Sequence, residues 1–202
     1  MQGLTLALAL TGASALVAPA APRAATALKA ADEVFDYSSI AGGESGLGGR
    51  YDFDPMNFAG RYPGMVPWFR EAELKHGRIC MLAVVGWLTV DAGIHFPGEK
   101  YAGIDALHAH DAMLASGNMG VMLLFAAVAE LTSMVSVVQA AKGSGRAAGD
   151  FGLDPLEFCG NPDTKKFMLE AETTHARLAM LGFSGLCTQS ALLESHTFPY
   201  LS

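Results

Sequence analysis

The chain has 202 residues, of which 51% are hydrophobic and only 16% charged, with a formal net charge of −7. That balance is too apolar for an ordinary soluble domain and fits a small membrane protein. An acidic chain without a basic patch excludes nucleic acid as a partner, because phosphate backbones need clustered Lys and Arg; three cysteines, two of them inside apolar runs, exclude a disulfide framework.

Residues 1–30 read as a leader. "MQGLTLALALTGASALVAPA" has the apolar run and small-residue pattern of a signal peptide without its usual positive start, and "LVAPAAPRAATALKAA" is Ala-rich, carries Arg23 and Lys29 and has no acid, like an organelle transit sequence. Signal followed by transit points to a plastid reached through the secretory route, with plain export as the alternative. The Gly-rich, polar residues 31–50 are expected to form an exposed N-terminal segment. Residues 51–202 form one domain with apolar stretches that predict helices at about 68–92, 112–141 and 166–194, each long enough at about 1.5 Å per residue to cross a hydrocarbon core of about 30 Å. The expected fold class is an all-α membrane protein with three transmembrane helices. Arg50, Arg61, Arg70 and Lys75 precede or open the first helix and Lys142, Arg146, Lys165 and Lys166 surround the second connector, whereas the first connector holds only Lys100. The positive-inside bias therefore puts the N-terminus and the second connector on one side.

The first and third helices are written from one template. "EAELKHGRICML" at 71–82 and "EAETTHARLAML" at 170–181 agree at seven of twelve positions, and "DPMNFAG" at 54–60 precedes the first as "DPLEFCG" at 154–160 precedes the second. Two such units predict a pair of crossed helices related by a pseudo-two-fold axis, with the middle helix outside the pair. Gly77, Cys80, Ala83 and Gly86 align with Ala176, Ala179, Gly182 and Gly185, a seam of small residues that lets membrane helices approach closely.

Charges inside such helices need neutralisation, since each costs roughly 2.5–3.5 kcal/mol at the bilayer centre on insertion scales. Glu73 and Arg78 stand five residues apart, as do Glu172 and Arg177; that is about 140° around a helix, so neither pair closes within its own helix. Reciprocity under a two-fold axis then predicts Glu73 with Arg177 and Glu172 with Arg78. His76 and His175 follow the glutamates by three residues, so each copy offers a carboxylate and an imidazole on neighbouring turns. Each can serve as a single axial ligand to a metal held in a macrocycle, whereas a zinc or iron site would need three or four convergent ligands.

E-x-x-H-x-R in the first and third of three membrane helices resembles the chlorophyll-binding light-harvesting antenna proteins of plastid thylakoids, over roughly Asp52 to Ser202. The leader and the "ALHAHDAM" connector are most similar to the red-lineage branch, dinoflagellate peridinin antennas first and fucoxanthin antennas of diatom type close behind. The resemblance implies a thylakoid protein with its N-terminus on the stromal side, binding chlorophyll a, chlorophyll c and a carotenoid (peridinin or fucoxanthin, or of diadinoxanthin type) and passing excitation to a photosystem. It also implies magnesium ligands at Glu73, His76, Glu172 and His175, at Gln189, seventeen residues after Glu172, and at Glu130, the one charged residue between Ala112 and Ala141, with His196 resembling a tail ligand of some relatives. Val121 and Met122 stand where the family commonly has a Gln, which puts one pigment site in doubt. His108 and His110 are read either as surface ligands or as a solvated turn. Partners implied are a photosystem core, neighbouring antenna subunits and thylakoid lipids, and no enzymatic turnover is implied. Two other functions stay open: a photoprotective member of the same family and a membrane haem or metal-binding protein using His76 and His175.

Overall fold

A computed structural model describes residues 36–43, 52–142 and 144–193, and among these it contains helices and turns with no strand. The leader and His196 lie outside the described residues. The helices are α1 (Phe58–Arg61), α2 (Val66–Asp91), α3 (Ala106–Ala115), α4 (Asn118–Ala141) and α5 (Pro162–Leu193), with short 3-10 turns at Tyr37–Ser39, Pro63–Met65 and Glu99–Tyr101.

Each repeat begins with the same local chemistry. Asp54 accepts the amides of Phe58 and Ala59 at 2.9 Å each, and Asp154 accepts those of Phe158 and Cys159 at 3.0 and 2.8 Å. The turn so closed puts Asn57 at φ 51° and Glu157 at φ 54°, a matched pair of left-handed residues that re-aims the chain into the long helix. Helix α5 starts at Pro162, four residues before the expected 166, because Pro is pre-organised for a first turn and Asp163 suits the positive end of the helix dipole. The predicted middle helix is corrected at its start: residues 112–115 close the separate helix α3, and the chain breaks at Ser116–Gly117 before α4 begins. Gly117 at φ +76° takes the left-handed conformation that ends α3, as a glycine just past a helix commonly does.

The long helices α2 and α5 cross at Gly77. A Cβ built there would lie 2.3 Å from Ala176 Cβ, and Ala176 is only 1% exposed, so this pair sets the closest approach. The expected seam is corrected beyond that point. A Cβ on Gly86, Gly182 or Gly185 would meet no atom within 4 Å, because crossed helices diverge away from their contact. Further along, Trp87 and Phe183 still meet edge to face at 6.0 Å between centroids. Helix α4 packs on α2.

Among the described residues one helix is long and apolar enough to span a bilayer by composition alone, Asn118–Gln139, 22 residues with none of its window buried. The expected spans in α2 and α5 do not meet that criterion. The reason is their charge: Arg70, Glu71, Glu73, Lys75 and Arg78 crowd the first half of α2, and Lys165, Lys166, Glu170, Glu172 and Arg177 that of α5.

Residues 36–43, expected in an exposed segment, instead dock across the helix pair. The Gly42 amide donates to Glu170 Oε2 at 2.6 Å, Arg177 Nη1 donates to the Gly42 carbonyl, and Tyr37 Oη donates to Asp54 Oδ2 at 2.8 Å. Partial burial and the neighbouring Asp54 carboxylate push the Tyr37 phenol up to about 12. A phenol whose folded pKa is raised contributes stability that is fully present below its unfolded value of about 10 and is lost as pH rises through the folded value. A spectroscopic titration is thus expected to show one late-titrating tyrosine that disappears in Tyr37→Phe, and unchanged late titration in that variant would remove Tyr37 from the contact. Asp54 is held below the usual carboxylate range: partial burial pushes it up, but the amides of Ala59, Phe58 and Asn57 and the Tyr37 hydroxyl together outweigh that.

Candidate functional site

The charged halves of α2 and α5 form a reciprocal cage. Arg177 Nε lies 2.7 Å from Glu73 Oε1, and Arg78 Nε lies 2.7 Å from Glu172 Oε1. The two pairs are not equivalent in their surroundings. Glu73 has a second cation, Arg70 Nη1 at 2.7 Å on Oε2, and Arg70 also donates to Thr173 Oγ1 at 2.6 Å; Leu169 stands at the matching position of the second copy and leaves Glu172 with Arg78 alone. Arg78 also lies over the Phe151 ring, 5.7 Å from its centroid.

A second layer of the cage was missed from sequence. Glu71, 4% exposed, accepts the Gly149 amide at 2.6 Å, the counterpart of Glu170 accepting that of Gly42. Both glycines have positive φ, +99° and +75°, and a Cβ on them would strike Thr173 and Leu74, which are themselves matched positions of the repeat. Each loop therefore lies against the helix of the other copy. The signal was present, since Glu71 and Glu170 open the two repeated stretches, but their partners lie in loops of different length that share only an Ala-Gly and a following Gly-Leu.

The imidazoles point the other way. His76 Nδ1 donates to the Ala72 carbonyl and His175 Nδ1 to the Ala171 carbonyl, each at 2.7 Å, and both side chains sit on exposed helix faces. A carbonyl can only accept, so both rings carry a proton on Nδ1, and the neutral ring then presents the Nε2 lone pair outward, the tautomer a metal ligand needs. Glu172 Oε2 has no partner among the described residues, and neither has the exposed amide of Gln189. Glu130, on α4, meets Lys75 Nζ at 2.5 Å through Oε2. His108 and His110, on α3, lean on Asp105 at 2.9 Å and Asp111 at 3.1 Å and are largely exposed.

Among the described residues no three His, Cys, Asp or Glu side chains gather on one metal-sized point. The donors are single and separated, spread over the outer faces of three helices. That set fits magnesium already held in four ring nitrogens, which takes a fifth ligand of oxygen or nitrogen. The space beside the cage suits an apolar ligand too. A cavity of about 800 Å3 opens against Glu73 and Arg177 and is walled by Tyr37, Phe53, Phe58 and Phe69, within the usual size range of small-molecule sites.

Fold and site together define an all-helical scaffold that presents isolated donor atoms around a core of cross-helix ion pairs, not a catalytic centre. The family described as Chlorophyll A-B binding protein matches residues 42–191. The chain belongs to this family of light-harvesting, chlorophyll-binding antenna proteins, which are structural proteins and not enzymes. It is 32% identical over 199 residues to the fucoxanthin-chlorophyll a-c binding protein of Isochrysis galbana, covering 94% of this chain and 93% of that protein. The corresponding protein of Trieres chinensis is 31% identical over 204 residues, with 94% of each chain covered. That of Chattonella marina var. antiqua is 31% identical over 144 residues, 70% of this chain and 65% of that protein, so the chain spans a little under two thirds of that relative.

Proposed function

We propose that this chain is a light-harvesting antenna subunit of the plastid thylakoid, with α2, α4 and α5 crossing the membrane and the N-terminus on the stromal side. In this reading it holds chlorophyll a, chlorophyll c and a carotenoid of the fucoxanthin, peridinin or diadinoxanthin type, and hands excitation to neighbouring antenna subunits and a photosystem. The bound pigments supply light absorption and energy transfer. The protein's part is positioning. His76 and His175 offer Nε2 to magnesium, Glu172 offers its open Oε2 from a carboxylate whose charge Arg78 balances, Glu73 offers a further lone pair on an oxygen already bonded to Arg70 or Arg177, and Gln189 offers its amide oxygen. His196 stays a candidate tail ligand outside the described residues.

The observation that carries the reading is the matched pair of outward imidazoles beside matched, neutralised carboxylates. Pairing also lowers the insertion cost of Glu73, Arg78, Glu172 and Arg177, since paired groups do not bear the cost of free ones. The divergence of α2 from α5 past Gly77, with room beside Gly86, Gly182 and Gly185, leaves grooves for elongated apolar ligands.

An absorption spectrum of the gently purified protein tests this: chlorophyll bands with a broad carotenoid shoulder are expected, and a haem Soret band would sink it. Site by site, Gln189→Leu is expected to fold and lose about one chlorophyll with a small change in the red absorption band, because leucine removes the only ligand atom there. Pigment content equal to the parent protein would remove Gln189 from the ligand set.

A further inference from the structure

The middle helix carries one charged side chain, Glu130, and the repeat explains where its partner comes from. Lys75 in α2 is matched by Thr174 in α5, a neutral residue whose hydroxyl bonds its own helix at Glu170 O, 2.9 Å. The two copies thus differ at the position that forms an ion pair with α4, and the cation is present in the copy on which α4 packs. Lys75 Nζ takes Glu130 Oε2 at 2.5 Å, while Glu130 Oε1 bonds no described residue and the side chain is 59% exposed on the outer face of α4.

We propose that Lys75 is a positioning residue for a further chlorophyll site, in which the Lys75–Glu130 pair presents Glu130 Oε1 to magnesium. This rests on the reading of Glu130 as a pigment ligand. The chemistry repeats that of Glu172 with Arg78: one oxygen is spent on the counter-charge, which makes the carboxylate neutral overall in lipid, and the other faces outward as a hard oxygen donor. The ammonium also fixes the carboxylate's rotamer, so the open oxygen points to one place. The pair further ties α4 to α2 at the level of His76, one residue on.

The test is reconstitution of the full chain with purified chlorophylls a and c and carotenoid, read by pigment count per protein and by the red absorption band. Lys75→Leu is expected to lose one chlorophyll and the matching part of that band. Lys75→Leu with Glu130→Gln is expected to regain it, since the amide keeps an oxygen and needs no counter-charge; this double variant also guards against simple misfolding of the first. A full pigment complement in Lys75→Leu, while Glu130→Leu loses one chlorophyll, would overturn the role of Lys75 and leave Glu130 as the ligand. A full complement in Glu130→Leu would overturn the site altogether. Failure of the unaltered chain to take up any chlorophyll would overturn the antenna reading instead.

Discussion

Arg78→Leu is expected to be the most damaging single substitution in the cage, more so than Arg177→Leu. Both remove one partner of a half-buried cross-helix pair and strand the surviving charge. The environments separate them. Glu73 without Arg177 still holds Arg70 at 2.7 Å, whereas Glu172 without Arg78 has no other cation among the described residues. Arg78→Leu should therefore abolish pigment assembly or nearly so, and Arg177→Leu should leave a weakened complex. Second-site changes sharpen the test. Adding Glu172→Gln to Arg78→Leu removes the stranded carboxylate and keeps an oxygen for magnesium, so part of the stability should return; adding Glu73→Gln instead strands Arg177 as well and should make matters worse. Thermal unfolding of the reconstituted complexes in a double-mutant cycle measures both. Equal behaviour of the two second-site changes would mean that the pairs do not work reciprocally.

The second large effect is steric. Gly77→Leu places a branched side chain where even a Cβ would come within 2.3 Å of Ala176 Cβ and 3.1 Å of its Cα, both on a helix that cannot yield locally. The helices must separate, and the ion pairs on either side separate with them, so loss of the assembled complex is expected. Gly77→Ala should cost about 1–3 kcal/mol as a milder case of overpacking. Gly86→Ala is the control: nothing lies within 4 Å of its built Cβ, and replacing glycine in a helix stabilises by up to about 1 kcal/mol. Melting temperatures of the three variants in one detergent decide it. If Gly86→Ala destabilised as much as Gly77→Ala, the close contact would extend along the whole small-residue stripe and the crossing would not be confined to Gly77.

Much of this was legible before any coordinates. A carboxylate and an arginine five residues apart cannot meet on one helix, and the same spacing written twice leaves the other copy as the partner; the geometry at 2.7 Å on both sides follows that arithmetic. The repeated Asp-Pro turns were equally local, because an Asx-type turn is made by a residue and the few that follow it. What only the tertiary structure decided is everything that depends on where the non-repeated parts land. Gly42 and Gly149 share only an Ala before them and a Gly-Leu shortly after, at different distances from their Asp-Pro turns, yet both reach a glutamate of the other copy, because two-fold symmetry acts on space and not on loop length. Arg70 and Lys75 break that symmetry. Arg70 reaches Glu73 three residues on in its own helix, a spacing visible in the chain, whereas the choice of Glu130 by Lys75 depended on the packing of α4 against α2, which pattern alone does not carry. The small residues show the same limit: their alignment was visible in the chain, but helices that cross touch over a short length, so the tight contact is at Gly77 and Ala176 while Gly86, Gly182 and Gly185 have nothing within 4 Å of a built Cβ.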